Sequence, residues 1–94
     1  MAATIIRSSG AVEHLDFFEG EPTLEQIRKI VGGYIEVVHI RRFGITAQIV
    51  LDEEGKLKGY PVNLLATAIA EGHISKDDYI VGDVLLLSEG NMLT

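Results

Sequence analysis

The chain has no cysteine and no tryptophan, and it has only two prolines. Without cysteine there are no disulfides, no thiolate metal sites and no cysteine nucleophile. Their absence also fits a reducing compartment. Basic residues are few: 8 Lys and Arg stand against 14 Asp and Glu, for a formal net charge of −6. Binding to a phosphate backbone relies on Lys and Arg. The only adjacent arginines are Arg41-Arg42, a poor footprint for nucleic acid, so direct nucleic-acid binding is not expected. Apolar runs such as Val84 to Leu87 fall far short of the roughly 20 residues of a membrane helix. No basic start followed by an apolar core marks a signal peptide. The expectation is a cytoplasmic protein that does not enter the membrane.

What is present points to a compact fold. Hydrophobic residues make up 47% of the 94 residues, and no tail or linker dilutes them, which disfavours disorder. The length fits one domain, residues 1–94, with a small core, since a chain this short buries only about 60–65% of its unfolded surface.

Thr4-Ile5-Ile6-Arg7 and Ala11-Val12-Glu13-His14-Leu15 read as strands around a Ser8-Ser9-Gly10 turn. Thr23-Leu24-Glu25-Gln26 matches a capping box. Leu24, Ile27, Ile30 and Val31 fall on one helical face. Gly32 and Gly33 end that helix, because glycine enters the left-handed region without a Cβ clash. Tyr34 to Ile40 reads as a strand, and Arg41-Arg42-Phe43-Gly44 as its loop. Ile45 to Leu51 alternates with Ile45, Ala47, Ile49 and Leu51 inward and Thr46, Gln48 and Val50 outward. Leu57 is a possible start of a short strand. Asn63 is a good N-cap for a second helix ending near Gly72, with Leu64, Leu65, Ala68 and Ile69 as its apolar face. Gly82-Asp83 between Tyr79-Ile80-Val81 and Val84 to Leu87 predicts a type II′ hairpin. The chain from Ser88 on is expected to fray. The fold class is α+β: a mostly antiparallel mixed sheet of about six strands with two helices on one face.

Residues suited to carry chemistry are sparse. Asp52, Glu53 and Glu54 precede a single glycine, whereas a calcium loop spreads its oxygens over about twelve positions. His14, His39 and His73 have no paired spacing. No metal and no cofactor is expected. There is no Gly-x-Ser-x-Gly elbow and no catalytic set, so the expectation is a protein that is not an enzyme. Glu36 as a general base is the remaining enzymatic alternative. Asn63 and Thr67 lie one helical turn apart. With Tyr34 and Glu36 they would frame a polar pocket, and Arg41 and Arg42 would supply charge for an anion. Gly32-Gly33 is not a phosphate loop, since it follows a helix and lacks a lysine at the required offset.

Val31-Gly32-Gly33-Tyr34-Ile35-Glu36, Asp52-Glu53-Glu54-Gly55-Lys56-Leu57-Lys58-Gly59, Pro61-x-Asn63-x-x-Ala66-Thr67 and Ile80-Val81-Gly82-Asp83-Val84 stand in this order. Together they resemble a family of small proteins catalogued as domain of unknown function 3846. Its members commonly come from bacteriophages, plasmids and actinobacterial mobile regions. The resemblance implies no established activity. It implies a habitat in which small acidic proteins often inhibit host machinery by stoichiometric binding. The first expectation is therefore a non-catalytic binding module for a host protein, with an exposed patch near Phe17, Phe18 and Phe43. The alternative is a binder of a nucleotide-like small molecule, with its pocket completed by another subunit in a homo-oligomer.

Overall fold

The computed structural model describes residues 2–42 and 44–88. The elements in chain order are β1 (Ala2–Ile6), β2 (Val12–Asp16), α1 (Leu24–Val31), β3 (Ile35–Arg42), β4 (Ile45–Asp52), α2 (Leu64–Ile69) and β5 (Val84–Ser88). The strands form one five-stranded sheet in the order β2-β1-β5-β4-β3. Every pairing between them is antiparallel.

Two hairpins, β1-β2 and β3-β4, supply the flanks, and the last strand inserts between them. That insertion decides the packing. It makes β1, β5 and β4 internal strands whose two faces both need cover. Alternation along the strands then sorts the core into two layers. Ile6, Val38, Ile40, Ile49, Leu51 and Val84 pack with Ala66 and Ala70 on the α2 side. Ala3, Ile5, Val50, Leu85 and Leu87 pack with Ile27 on the α1 side. The helices therefore lie on opposite faces of the sheet, not together on one face as expected from the sequence.

The capping box is formed as predicted: Gln26 N donates to Thr23 Oγ1, and Thr23 N donates to Gln26 Oε1. Gly32 ends α1 in the left-handed region, at φ 105°. The Ser8-Gly10 turn is present, with Gly10 N donating to Arg7 O.

Other expectations need correction. The sheet has five strands. Leu57 lies in a turn, and Tyr79–Val81 is not a strand. The predicted type II′ hairpin does not form. Val81 instead makes an isolated bridge to Val62, and Gly82 N donates to Pro61 O. Gln48 and Val50 are buried, because the central position of β4 leaves no solvent face. Helix α2 is also rotated from its predicted face: Ile69 packs against the core as expected, but the leucines do not. Ala66 and Ala70 are buried, whereas Leu64 and Leu65 are 78% and 41% exposed. It is also shorter than expected, with its C-cap at Ala70. Of the expected surface aromatics, Phe18 is 84% exposed and Phe17 packs against the α1-side core. Phe43 lies outside the described residues, as does most of the segment expected to fray, since Ser88 ends β5 and residues 89–94 are not described.

Candidate functional site

The four sequence motifs converge on Tyr60. A Cβ added at Gly82 would lie 2.6 Å from Tyr60 Cδ2, and one added at Gly32 would lie 2.5 Å from the Tyr60 hydroxyl. At Gly55 a Cβ would meet Val81 Cγ2 at 2.9 Å and Tyr60 Cδ2 at 3.2 Å. These glycines are the walls of a slot that holds the ring. Gly33 has a different neighbour: its Cβ would stand 2.5 Å from Lys58 Nζ and 3.0 Å from Asp52 Oδ2.

Beside the ring lies a buried carboxylate. Asp52 is 3% exposed. Its oxygens accept from Lys58 Nζ at 2.7 Å and from the Glu54 N–H at 2.9 Å, and also from the Tyr60 hydroxyl. Burial alone would push this carboxyl up. The Lys58 ammonium, the amide and the hydroxyl outweigh burial and hold it below the usual carboxylate range. Lys58 is raised in turn, chiefly by its bond to Asp52, and its Nζ also donates to Gly32 O at 3.2 Å.

A second charged tie secures the entry to β5. Arg7 Nη1 donates to Asp83 Oδ2 at 2.8 Å, the Ser8 N–H donates to Asp83 Oδ1 at 3.0 Å, and Arg7 Nε donates to Glu13. Burial works to raise the Asp83 carboxyl. The Ser8 amide and the Arg7 guanidinium overcome it and lower the value. A cavity of about 290 Å³ lies at this corner, lined by Ser8, Ile30, Gly32, Tyr60, Pro61 and Asp83 among others.

The residues expected to frame a polar pocket do not share one. Asn63 is 1% exposed. Its Nδ2 donates to Ile6 O at 3.0 Å and Gly82 O at 2.8 Å, and its Oδ1 accepts from the Ala66 N–H. All its hydrogen-bonding groups thus work inside the fold. Thr67 Oγ1 donates to Asn63 O at 2.8 Å and accepts from the Ile80 N–H at 2.9 Å. Tyr34 is exposed, with the Arg28 guanidinium 4.8 Å from its ring centroid. Glu36 lines a cavity of about 100 Å³ with Lys56, Asp78 and Tyr79. Arg41 and Arg42 lie at the far end of β3, and Arg42 Nη1 donates to the Ala68 and Ile69 carbonyls, capping the C-terminus of α2.

A groove of about 570 Å³ lies between α2 and the segment that follows it, lined by Leu64, Thr67, Ala68, Ile74, Lys76 and Asp78 among others. Leu64 stands on its rim. Sequence reasoning missed this surface because it placed the leucines inward. The signal was the pair Ala66 and Ala70, four residues apart, which lets a helix lie close to a sheet. Among the described residues, no group of three or more His, Asp or Glu is placed to hold a metal ion. No described helix is long and apolar enough to cross a membrane.

Fold and site together define a small α+β domain whose buried polar groups are engaged in its own construction and whose groove beside α2 is rimmed by exposed leucine. A family model described as domain of unknown function (DUF3846) matches residues 1–93, and the chain belongs to that family. No curated protein and no solved structure matches it.

Proposed function

We propose that this chain is a non-catalytic binding module that engages a protein partner stoichiometrically through the groove beside α2. The carrying observation is the orientation of that helix. It packs on the sheet through Ala66 and Ala70 and turns Leu64, 78% exposed, towards solvent at the edge of a groove that also contains Ala68 and Ile74. Leu64, Ala68 and Ile74 give the groove an apolar lining, the kind of surface that takes the apolar face of a protein partner. A catalytic reading lacks comparable support. Asp52 and Asp83 are held charged by partners inside the fold, and Glu36 lies with Lys56 and Asp78 in a small cavity.

The habitat expected from the resemblance, phages and other mobile elements, extends the proposal: the partner is a host component of a defence system that the module inhibits by occupying it. Leu64→Glu places a charge on the rim without touching the core. The expected result is a host protein that forms a defined complex with the wild type, measured with purified components, and binds the folded variant at least tenfold more weakly. Equal binding by the variant would remove the groove from the reading. Native mass spectrometry after incubation with a protein-free nucleotide extract tests the small-molecule alternative, and a discrete bound mass would favour that alternative over a protein partner.

A further inference from the structure

Strand β3 lies at an edge of the sheet. Glu53 N donates to Tyr34 O, so the backbone of Tyr34 points towards β4. At the other end, the N–H and C=O of Arg41 point away from β4 and lie 3.0 and 2.9 Å from His73 Nε2. Pairing directions alternate along an antiparallel strand. Between these markers, Ile35, Val37 and His39 therefore present their N–H and C=O groups outward. Among the described residues these groups meet no hydrogen-bond partner. The register of β3 on β4 is continuous from Ile35 to Arg42, so no bulge twists this edge away.

We propose that two copies of the chain associate through antiparallel β3–β3 pairing about a two-fold axis at Val37, joining their sheets into one. In this register Val37 faces Val37 of the second copy, and Ile35 faces the second copy's His39. Each of these pairs exchanges both backbone bonds. Every outward group between Ile35 and His39 is then satisfied.

Neighbouring registers are disfavoured by features of the chain itself. A shift that pairs Ile35 with Val37 sets Glu36 opposite Glu36 of the second copy, a like-charge pair. Shifts the other way require the Arg41 backbone, which His73 already occupies. Apolar contact supports the same choice. Ile35 and Val37 are half-buried against the α1-side core, and the two-fold sets Val37 beside Val37 of the second copy with Ile35 on the diagonal. The other sheet edge offers less, since Val12, His14 and Asp16 of β2 are all exposed. This interface is separate from the α2 groove, and either proposal stands without the other.

Sedimentation equilibrium of the full chain, combined with amide hydrogen exchange, tests the pairing. The expected result is a concentration-dependent dimer in which the Ile35, Val37 and His39 amides become protected as the dimer forms. Val37→Pro removes an outward N–H and leaves the β4 ladder intact, a substitution that edge strands tolerate. It should raise the dissociation constant at least tenfold. If that variant fails to fold, exchange on the wild type decides the matter. A monomer at every concentration, a dimer whose three amides exchange freely, or a folded Val37→Pro variant that dimerises as well as the wild type would overturn the proposal.

Discussion

Lys58 Nζ sits 2.7 Å from Asp52 Oδ2, and the Asp52 side chain is only 1% exposed while that of Lys58 is 37% exposed. The carboxylate depends on the lysine far more than the lysine depends on the carboxylate. Removing Lys58 leaves a buried charge with the Glu54 amide and the Tyr60 hydroxyl alone. Lys58→Met should destabilise the fold, by an amount reduced because the ammonium is partly in water. Urea denaturation at neutral pH measures it.

The same carboxylate gives stability an acid limb. Its folded value is depressed, so its contribution is complete above the unfolded carboxylate range, near pH 4. That contribution is lost as pH falls through the folded value. Asp83 and Asp78 are lowered as well and act with the same sign. Wild-type unfolding free energy should decline below about pH 4. Asp52→Asn should be less stable at pH 7 and decline less steeply. Parallel pH profiles for the two proteins would show that Asp52 is not a source of the acid sensitivity.

Asn63 ties three chain segments together at one buried point, through Ile6 O, Gly82 O and the Ala66 N–H. Asn63→Ala removes the cap of α2 and takes a buried donor from both carbonyls, at a cost of about 2–4 kcal/mol. Asn63→Asp keeps the cap but turns an oxygen towards those carbonyls, and it should cost at least as much. Thermal melts of the two variants rank them. An Asp variant as stable as the wild type would contradict this account.

Gly82 combines a φ of 79° with a Cβ position 2.6 Å from Tyr60 Cδ2. Gly82→Ala pays for both, roughly 2–4 kcal/mol in all. In a Tyr60→Leu background the steric part should shrink and the backbone part should remain. A double-mutant cycle would then give a coupling of about 1 kcal/mol or more. Additive costs would mean that the ring does not fill the slot.

On α2 the stability costs should run opposite to side-chain size. Leu64→Ser should change stability by no more than about 0.5 kcal/mol, because the side chain is already in water. Ala66→Leu should cost about 1–3 kcal/mol by overpacking the helix against the sheet. Chemical denaturation of both variants checks the inverted face.

Local signals in the sequence were legible wherever a short stretch suffices to specify its own structure. Thr23 and Gln26 form their reciprocal cap three residues apart, Gly32 stops the helix it follows, and Asn63 caps α2. The alternation in β3 and β4 gave strands and their pairing. The site was much less legible. Asn63 and Thr67 looked available for a ligand because their partners, Ile6, Ile80 and Gly82, are remote in sequence. The burial of Asp52 was not legible either, since burial is a property of its neighbours and not of the acidic run around it.

The sequence by itself determined the caps, the two early hairpins and the alternating faces of their strands, because those follow from backbone sterics and hydrogen bonds over a few residues. Only the tertiary structure decided where Val84 to Leu87 go. Once that run enters the middle of the sheet, three strands are covered on both sides, the helices are driven to opposite faces, and β3 is left at an edge with unpaired backbone. The slot around Tyr60 arises in the same way, from glycines that neither their spacing nor their composition could bring together before the chain closed on itself.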